Sequence, residues 1–333
     1  MKAIIRQLTE ACGPSGYETE VTGLIKDLIK DHVDELRTDV LGNLVAVKHG
    51  SAEGKRIMFA AHTDEIGVVI TYIDDHGFLR FAPIGGVGIS TLVGNRVRFA
   101  NGTIGVVYQE GKAEWKELTL DKLFIDIGAA SREEAVQKVQ VGQFGVFHRE
   151  FTDLGDRLIA KSMDDRIGCA VLVEALRKLD RPRNTLYCVF TTQEEVGLRG
   201  ARTAAYGLDP DLGLALDVTL TGDTPEAKRM AVSLGQGAAI KVKDASHIAH
   251  PRVKDLLVGL CEAKNIPYQM EVLEWGGTDA GAIHLTKEGV PSGTISIPTR
   301  YVHSPSEMVD LRDVQACVDL VLAVAEADLE GVV

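Results

Sequence analysis

Two adjacent glutamates, Glu194 and Glu195, sit in the stretch Thr191-Thr192-Gln193-Glu194-Glu195-Val196-Gly197. The apolar run Leu186-Tyr187-Cys188-Val189-Phe190 before them favours a pleated strand, and Gly197 turns the chain away. Side chains alternate along an extended backbone, so the two carboxylates leave it in opposite directions. One can then hold a metal ion while the other, unligated, handles protons. Alone, such a pair is ordinary solvated surface. It gains meaning because other expected strands end the same way. His62 and Asp64 follow a strand at 56–61, Asp217 follows one at 212–216, and His303 lies just past one at 293–297. Asp164 and Asp165 precede an expected helix, where carboxylates also suit the positive end of the dipole or cap it. His-x-Asp at a strand end lets the carboxylate hydrogen-bond one imidazole nitrogen while the other binds metal. Carboxylates converging on one crevice repel each other, and divalent cations relieve the repulsion. Two histidines with three ligating carboxylates suit a pair of ions sharing one bridging carboxylate, with zinc, cobalt or manganese all chemically reasonable.

The elements that must position these groups follow from the pattern. Short helices are expected around Ile4 to Leu8 and Val21 to Ile29, broken by Gly13-Pro14-Ser15-Gly16, with a hairpin turning at Gly42-Asn43. From 67 to 155 the texture changes to short strands separated by glycine turns, interrupted by one helix near 132–139. That spacing predicts a small β-rich domain, barrel- or PDZ-like, inserted into the chain. Past 156 strands alternate with helices again, which predicts an α/β domain made of 1–66 and 156–333, with a mostly parallel sheet covered on both faces. Ligands of such sheets bind beyond the carboxyl ends of the strands.

The bulk properties exclude several classes. The chain has 333 residues, 45% of them hydrophobic and 25% charged, which is the composition of a globular protein with a substantial core. Its net charge of −12, from 36 basic and 48 acidic residues, speaks against nucleic acid or an anionic membrane surface as partner. Five scattered cysteines with no C-x-x-C pair read as reduced core residues. No signal peptide and no apolar stretch of membrane-spanning length is visible, so a cytoplasmic location is expected.

Five segments together carry a resemblance: Ala61-His62-Thr63-Asp64-Glu65-Ile66-Gly67, Met163-Asp164-Asp165-Arg166, Gln193-Glu194-Glu195-Val196-Gly197, Ala215-Leu216-Asp217 and Tyr301-Val302-His303-Ser304. They resemble, in order and across nearly the whole chain, the metal-site motifs of the tetrahedral aminopeptidases. These are dimetal peptidases of metallopeptidase family forty-two that include glutamyl aminopeptidases. Asp39-Val40-Leu41-Gly42-Asn43, Phe124-Ile125-Asp126-Ile127-Gly128-Ala129 and Gly276-Gly277-Thr278-Asp279-Ala280 are similar segments.

The resemblance implies that Asp164 bridges two divalent ions, one also held by His62 and Asp217, the other by Glu195 and His303. It implies Glu194 as general base on a shared water, Asp64 as the group that orients His62, and a cis peptide at Asp164-Asp165. It also implies short peptides with a free N-terminus as substrates, an inserted domain that drives dimerisation, and dimers that assemble into a hollow dodecamer. Gly277, Thr278 and Asp279 are expected at the substrate pocket. The competing functions are a glycoside hydrolase of endoglucanase type, a non-catalytic assembly protein stabilised by metal, and a deacylase or carboxypeptidase. The glycosidase requires two carboxylates flanking a bond about 5–9.5 Å apart, awkward for neighbours on one strand end, and only Trp115 and Trp275 could stack sugars.

Overall fold

A computed structural model describes residues 1–51, 54–111 and 115–333, the side chain of Trp115 excepted. Its strands fall into two systems, an eleven-stranded sheet and a closed six-stranded barrel.

The large sheet is mixed, where the sequence pattern predicted a mostly parallel one: its centre is parallel, both ends of the row are antiparallel, and a parallel pair, Ala238–Lys243 with Tyr268–Val272, joins Ser292–Arg300 in antiparallel sense. Arg56–His62 lies between Thr185–Thr191 and Leu212–Thr219, parallel to both, and Leu212–Thr219 pairs in parallel with Ser292–Arg300. Leu44–Lys48 and Glu35–Thr38, the expected hairpin, add antiparallel strands at one side. Glu307–Asp310, Arg157–Ala160 and Thr152–Asp153 add them at the other. The central strands are buried on both faces, so they read as continuous apolar runs rather than alternating ones. Helices Lys2–Glu10, Thr19–Ile29, Met163–Lys178, Pro251–Lys264 and Leu311–Ala325 contribute to the core on one face of the sheet. Arg199–Leu208 and Ala280–Ile283 pack a smaller core on the other.

The barrel is closed by Gly67–Ile73, Leu79–Ile84, Leu123–Asp126, Ile104–Gln109, Arg96–Phe99 and Phe144–Phe147, around a separate apolar core. Its closing strand, Phe144–Phe147, follows a turn at Gly142, where φ is +86°. Thr152–Asp153 already pairs with the large sheet, so the chain returns there within a few residues of the last barrel strand. All five cysteines are free thiols, four of them buried. Among the described residues no helix is long and apolar enough to cross a membrane.

Candidate metal centre

The parallel strands end level with one another, which brings distant residues together. In the pairing of Arg56–His62 with Thr185–Thr191, His62 stands opposite Thr191, so the loop carrying Glu194 and Glu195 begins beside His62. Asp217 lies near the end of the neighbouring strand, and His303 follows three residues after Arg300. Asp164 and Asp165 open the helix Met163–Lys178 without adopting helical dihedrals, and the peptide joining them is cis. The αL backbone of Gln193 and His303 marks sharp turns on either side of the site (φ 57° and 61°).

Asp164 is the centre of the cluster. Its Oδ1 is 3.0 Å from Nε2 of His62 and its Oδ2 is 3.2 Å from Nε2 of His303. Each oxygen thus faces a different imidazole. Asp217 Oδ1 and Glu194 Oε2 lie 4.0 and 3.9 Å from His62 Nε2, whereas Glu195 Oε1 lies 3.4 Å from His303 Nε2. The two adjacent glutamates therefore face different histidines, although they lie in the turn beyond the strand, which ends at Thr191, and not on extended backbone.

A layer of hydrogen bonds fixes these groups. Asp64 accepts the backbone N–H groups of Glu194 (3.0 Å) and Glu195 (3.2 Å) and the hydroxyl of Ser15 (2.6 Å). His62 Nδ1 lies 3.2 Å from the carbonyl of Asp64 and 3.4 Å from its carboxylate, leaving Nε2 for the cluster. Asp165 accepts from the amides of His62 and Gly168, tying the helix start to the strand end. A Cβ on Gly168 would come within 2.4 Å of that carboxylate, so the glycine is required there. Glu307 accepts the amides of both Asp164 (3.0 Å) and His303 (2.8 Å). Arg166, fully buried, donates to the carbonyls of Thr63, Leu8, Ala11 and Gly13 and pairs with Glu65, which also holds Lys161.

Ser15, Glu307 and the structural duties of Asp165 and Arg166 escape sequence reasoning. Each has a partner between 49 and 158 positions away, and no local periodicity reports such contacts. Of the three residues expected at the substrate pocket, Gly277 lines the cavity over the cluster. Thr278 is buried against Thr294, and Asp279 accepts from Thr191 behind the wall. That cavity has a volume of about 480 Å³ and apolar walls from Leu198, Val218, Leu220, Leu273, Trp275 and Val302.

The electrostatics match a cation site. Burial, reinforced by Asp217 and Glu195, pushes the Glu194 carboxyl well above the ordinary carboxylate range. Burial together with the Asp164 charge does the same for Asp217. Asp164 moves down instead, because hydrogen bonds to His303 and His62 outweigh its burial. The imidazoles answer in kind: hydrogen bonds to Asp164 and Glu195 overcome burial and carry His303 up to about 12. Raised imidazoles beside raised buried carboxylates mark a place where the fold gathers groups that favour positive charge. The donors are imidazole nitrogens and carboxylate oxygens, the set that zinc, cobalt and manganese accept. Ligand atoms of His62, Asp164 and Glu195, and likewise of His62, Asp165 and Asp217, fall within 4.8 Å of one another. The residues fit divalent metal.

Comparison with known proteins agrees. The M42 glutamyl aminopeptidase family matches residues 42–320. A sequence from Acetivibrio thermocellus is 52% identical over 320 residues, 96% of each chain. The structure superposes on the aminopeptidase APDkam598 of the archaeon Desulfurococcus kamchatkensis with a TM-score of 0.94 at 46% identity, over 98% of this chain and 94% of that one. It superposes on the TET1 peptidase of Pyrococcus horikoshii, described as assembling into a tetrahedron or a large octahedral shell, with a TM-score of 0.88 at 33% identity, over 98% and 99%. The match runs through the strand ends that converge on Asp164, and the chain belongs to the M42 glutamyl aminopeptidase family of peptidases.

Proposed function

We propose that this aminopeptidase removes the N-terminal residue of short peptides at a centre of two divalent ions, with Asp164 between them. The observation that carries the reading is the opposed placement of the two Asp164 oxygens, 3.0 Å from His62 and 3.2 Å from His303. His62 and Asp217 would complete one ion position, Glu195 and His303 the other. Asp164, Glu194, Glu195 and Asp217 bring four negative charges, which two divalent cations balance. Bound there, the ions supply Lewis-acid polarisation of the scissile carbonyl and lower the pKa of a nearby water.

Glu194 takes a proton from the attacking water and returns it to the departing amine. Its backbone is pinned by Asp64, so its carboxylate stays directed at the cluster without being one of the five ligands. The position held by Glu195 and His303 would receive the substrate's free amine, which restricts cutting to chain ends. The backbone of Gly277 and the apolar wall around Trp275 receive the substrate side chain. Zinc and cobalt suit the mixed nitrogen and oxygen donors best, and manganese is also accommodated.

The outward residues Ile104, Val106 and Tyr108 alternate along one barrel strand and are exposed, which supports the barrel as a dimer contact and a dodecamer built from such dimers. The reaction is tested by assaying chelator-stripped protein on aminoacyl anilides before and after adding each cation, beside the same anilides with a blocked amine. Cleavage of free-amine substrates only after cation addition is expected. Equal cleavage of the blocked compounds overturns the aminopeptidase reading for this chain.

A further inference from the structure

One turn of the barrel reaches into the metal cluster. The strand Leu79–Ile84 is followed by Gly85-Gly86, closed by a hydrogen bond from the amide of Val87 to the carbonyl of Gly85 (3.0 Å). The Gly86 carbonyl lies 3.0 Å from Nδ1 of His303 and accepts its hydrogen. That bond fixes the imidazole tautomer and leaves Nε2 free to face Asp164 and Glu195. The approach is so close that a Cβ on Gly86 would lie 2.6 Å from Nδ1 and 2.7 Å from Cε1 of that ring. The neighbouring Gly85, at φ +71°, backs the other ligand of the same position, where a Cβ would stand 3.0 Å from Oε2 of Glu195.

The other ion position has no such neighbour among the described residues. His62 is oriented by Asp64, and Asp217 Oδ1 accepts from the amide of Val218, both contacts within the large-sheet part of the chain. We propose that the Gly85-Gly86 turn is a positioning element for the ion held by Glu195 and His303 alone, so that the barrel sets the affinity of one position independently of the other. The inference rests on the two-ion reading above. It makes the inserted barrel part of the active site as well as a surface for assembly.

Gly86→Ala isolates the effect, because the backbone at Gly86 lies outside the left-handed region and only the His303 ring must move. Gly88→Ala is the control in the same loop, where the nearest atom to a new Cβ is Thr91 Oγ1 at 3.6 Å. His303→Ala defines the signature of losing that position. The measurement is cobalt(II) titration of chelator-stripped protein, followed by calorimetry and by the cobalt absorption band.

The parent and Gly88→Ala should bind two ions. Gly86→Ala should keep one at parental affinity and bind the other about 10- to 100-fold more weakly, matching the single class retained in His303→Ala. A parent that takes up one ion only overturns the two-ion reading and this inference with it. A two-ion parent whose Gly86→Ala variant keeps both affinities, weakens both equally or binds neither overturns the inference alone.

Discussion

The Oδ1 atom of Asp64 accepts the backbone N–H of Glu194 at 3.0 Å, so the residue beside one metal-facing histidine also holds the proposed base. Its Oδ2 takes the amide of Glu195 and the Ser15 hydroxyl. Asp64→Asn keeps the shape but turns one acceptor into a donor facing N–H or O–H groups. Turnover or metal affinity should fall about 10- to 100-fold, measured by anilide hydrolysis and ion titration. An asparagine variant indistinguishable from the parent removes Asp64 from the site's support.

Glu194→Gln separates proton transfer from binding. The variant should retain both ions at parental affinity while kcat falls about 10²- to 10⁴-fold. Metal analysis of the purified variant beside its kinetics checks both halves. Near-parental kcat with full metal means another group moves the proton.

Stripping the ions tests the class of chemistry as well as the site. Chelation should abolish hydrolysis and lower the melting temperature, since ions that bind only the folded chain stabilise it, by about 4 kcal/mol at a thousandfold excess over Kd. A glycosidase working through two carboxylates would survive the same treatment. Full activity after exhaustive chelation, verified by elemental analysis, sinks the metal mechanism.

A pH effect is expected away from the metals. His247 is buried against His284, with ring centroids 4.8 Å apart and no hydrogen-bond partner for its Nδ1 among the described residues. Burial, then the His284 charge, pushes its pKa down to about 4. An unfolded histidine titrates near about 6.5, so between these values the unfolded chain binds more protons. Stability from this residue is therefore complete above the upper value and lost as pH falls towards the lower, by at most about 3 kcal/mol. His247→Phe should flatten the difference in urea midpoint between pH 4.5 and 7. A variant with the parent's full pH slope assigns that slope elsewhere.

The barrel's outward row gives the assembly prediction. Val106→Glu places a charge amid Ile104 and Tyr108 on the exposed face of their strand. Sedimentation should shift from oligomer towards monomer with the barrel still folded. An unchanged sedimentation coefficient moves the contact to another surface.

The residues proposed to do chemistry are easier to place from the chain than those that hold them. Glu194, Asp217 and His303 stand at or just past strand ends because apolar runs of strand length followed by polar groups are local signals. Thr185–Thr191 and Tyr268–Val272 were legible for the same reason. The strands Ala238–Lys243 and Glu307–Asp310 were not, since each carries charged residues that acquire partners only in the folded chain. Lys241 is buried because Glu271 meets it at 2.8 Å across neighbouring strands, and Glu307 because it caps two amides. The mixed character of the sheet was hidden too. Strand direction depends on which edges meet, and the alternation of helices and strands does not encode that at the periphery.

The Arg166 guanidinium gathers carbonyls from Leu8, Ala11 and Gly13, and Ser15 reaches Asp64, so the first helix and the turn after it are built into the active centre. Leu8, Ala11, Gly13 and Ser15 all precede residue 42, where the family match begins. Trimming an expression clone back to the matched region would leave a buried guanidinium without most of its acceptors. Truncation series meant to find a minimal enzyme should therefore lose activity as soon as they cross Leu8, well before they touch a metal-facing side chain.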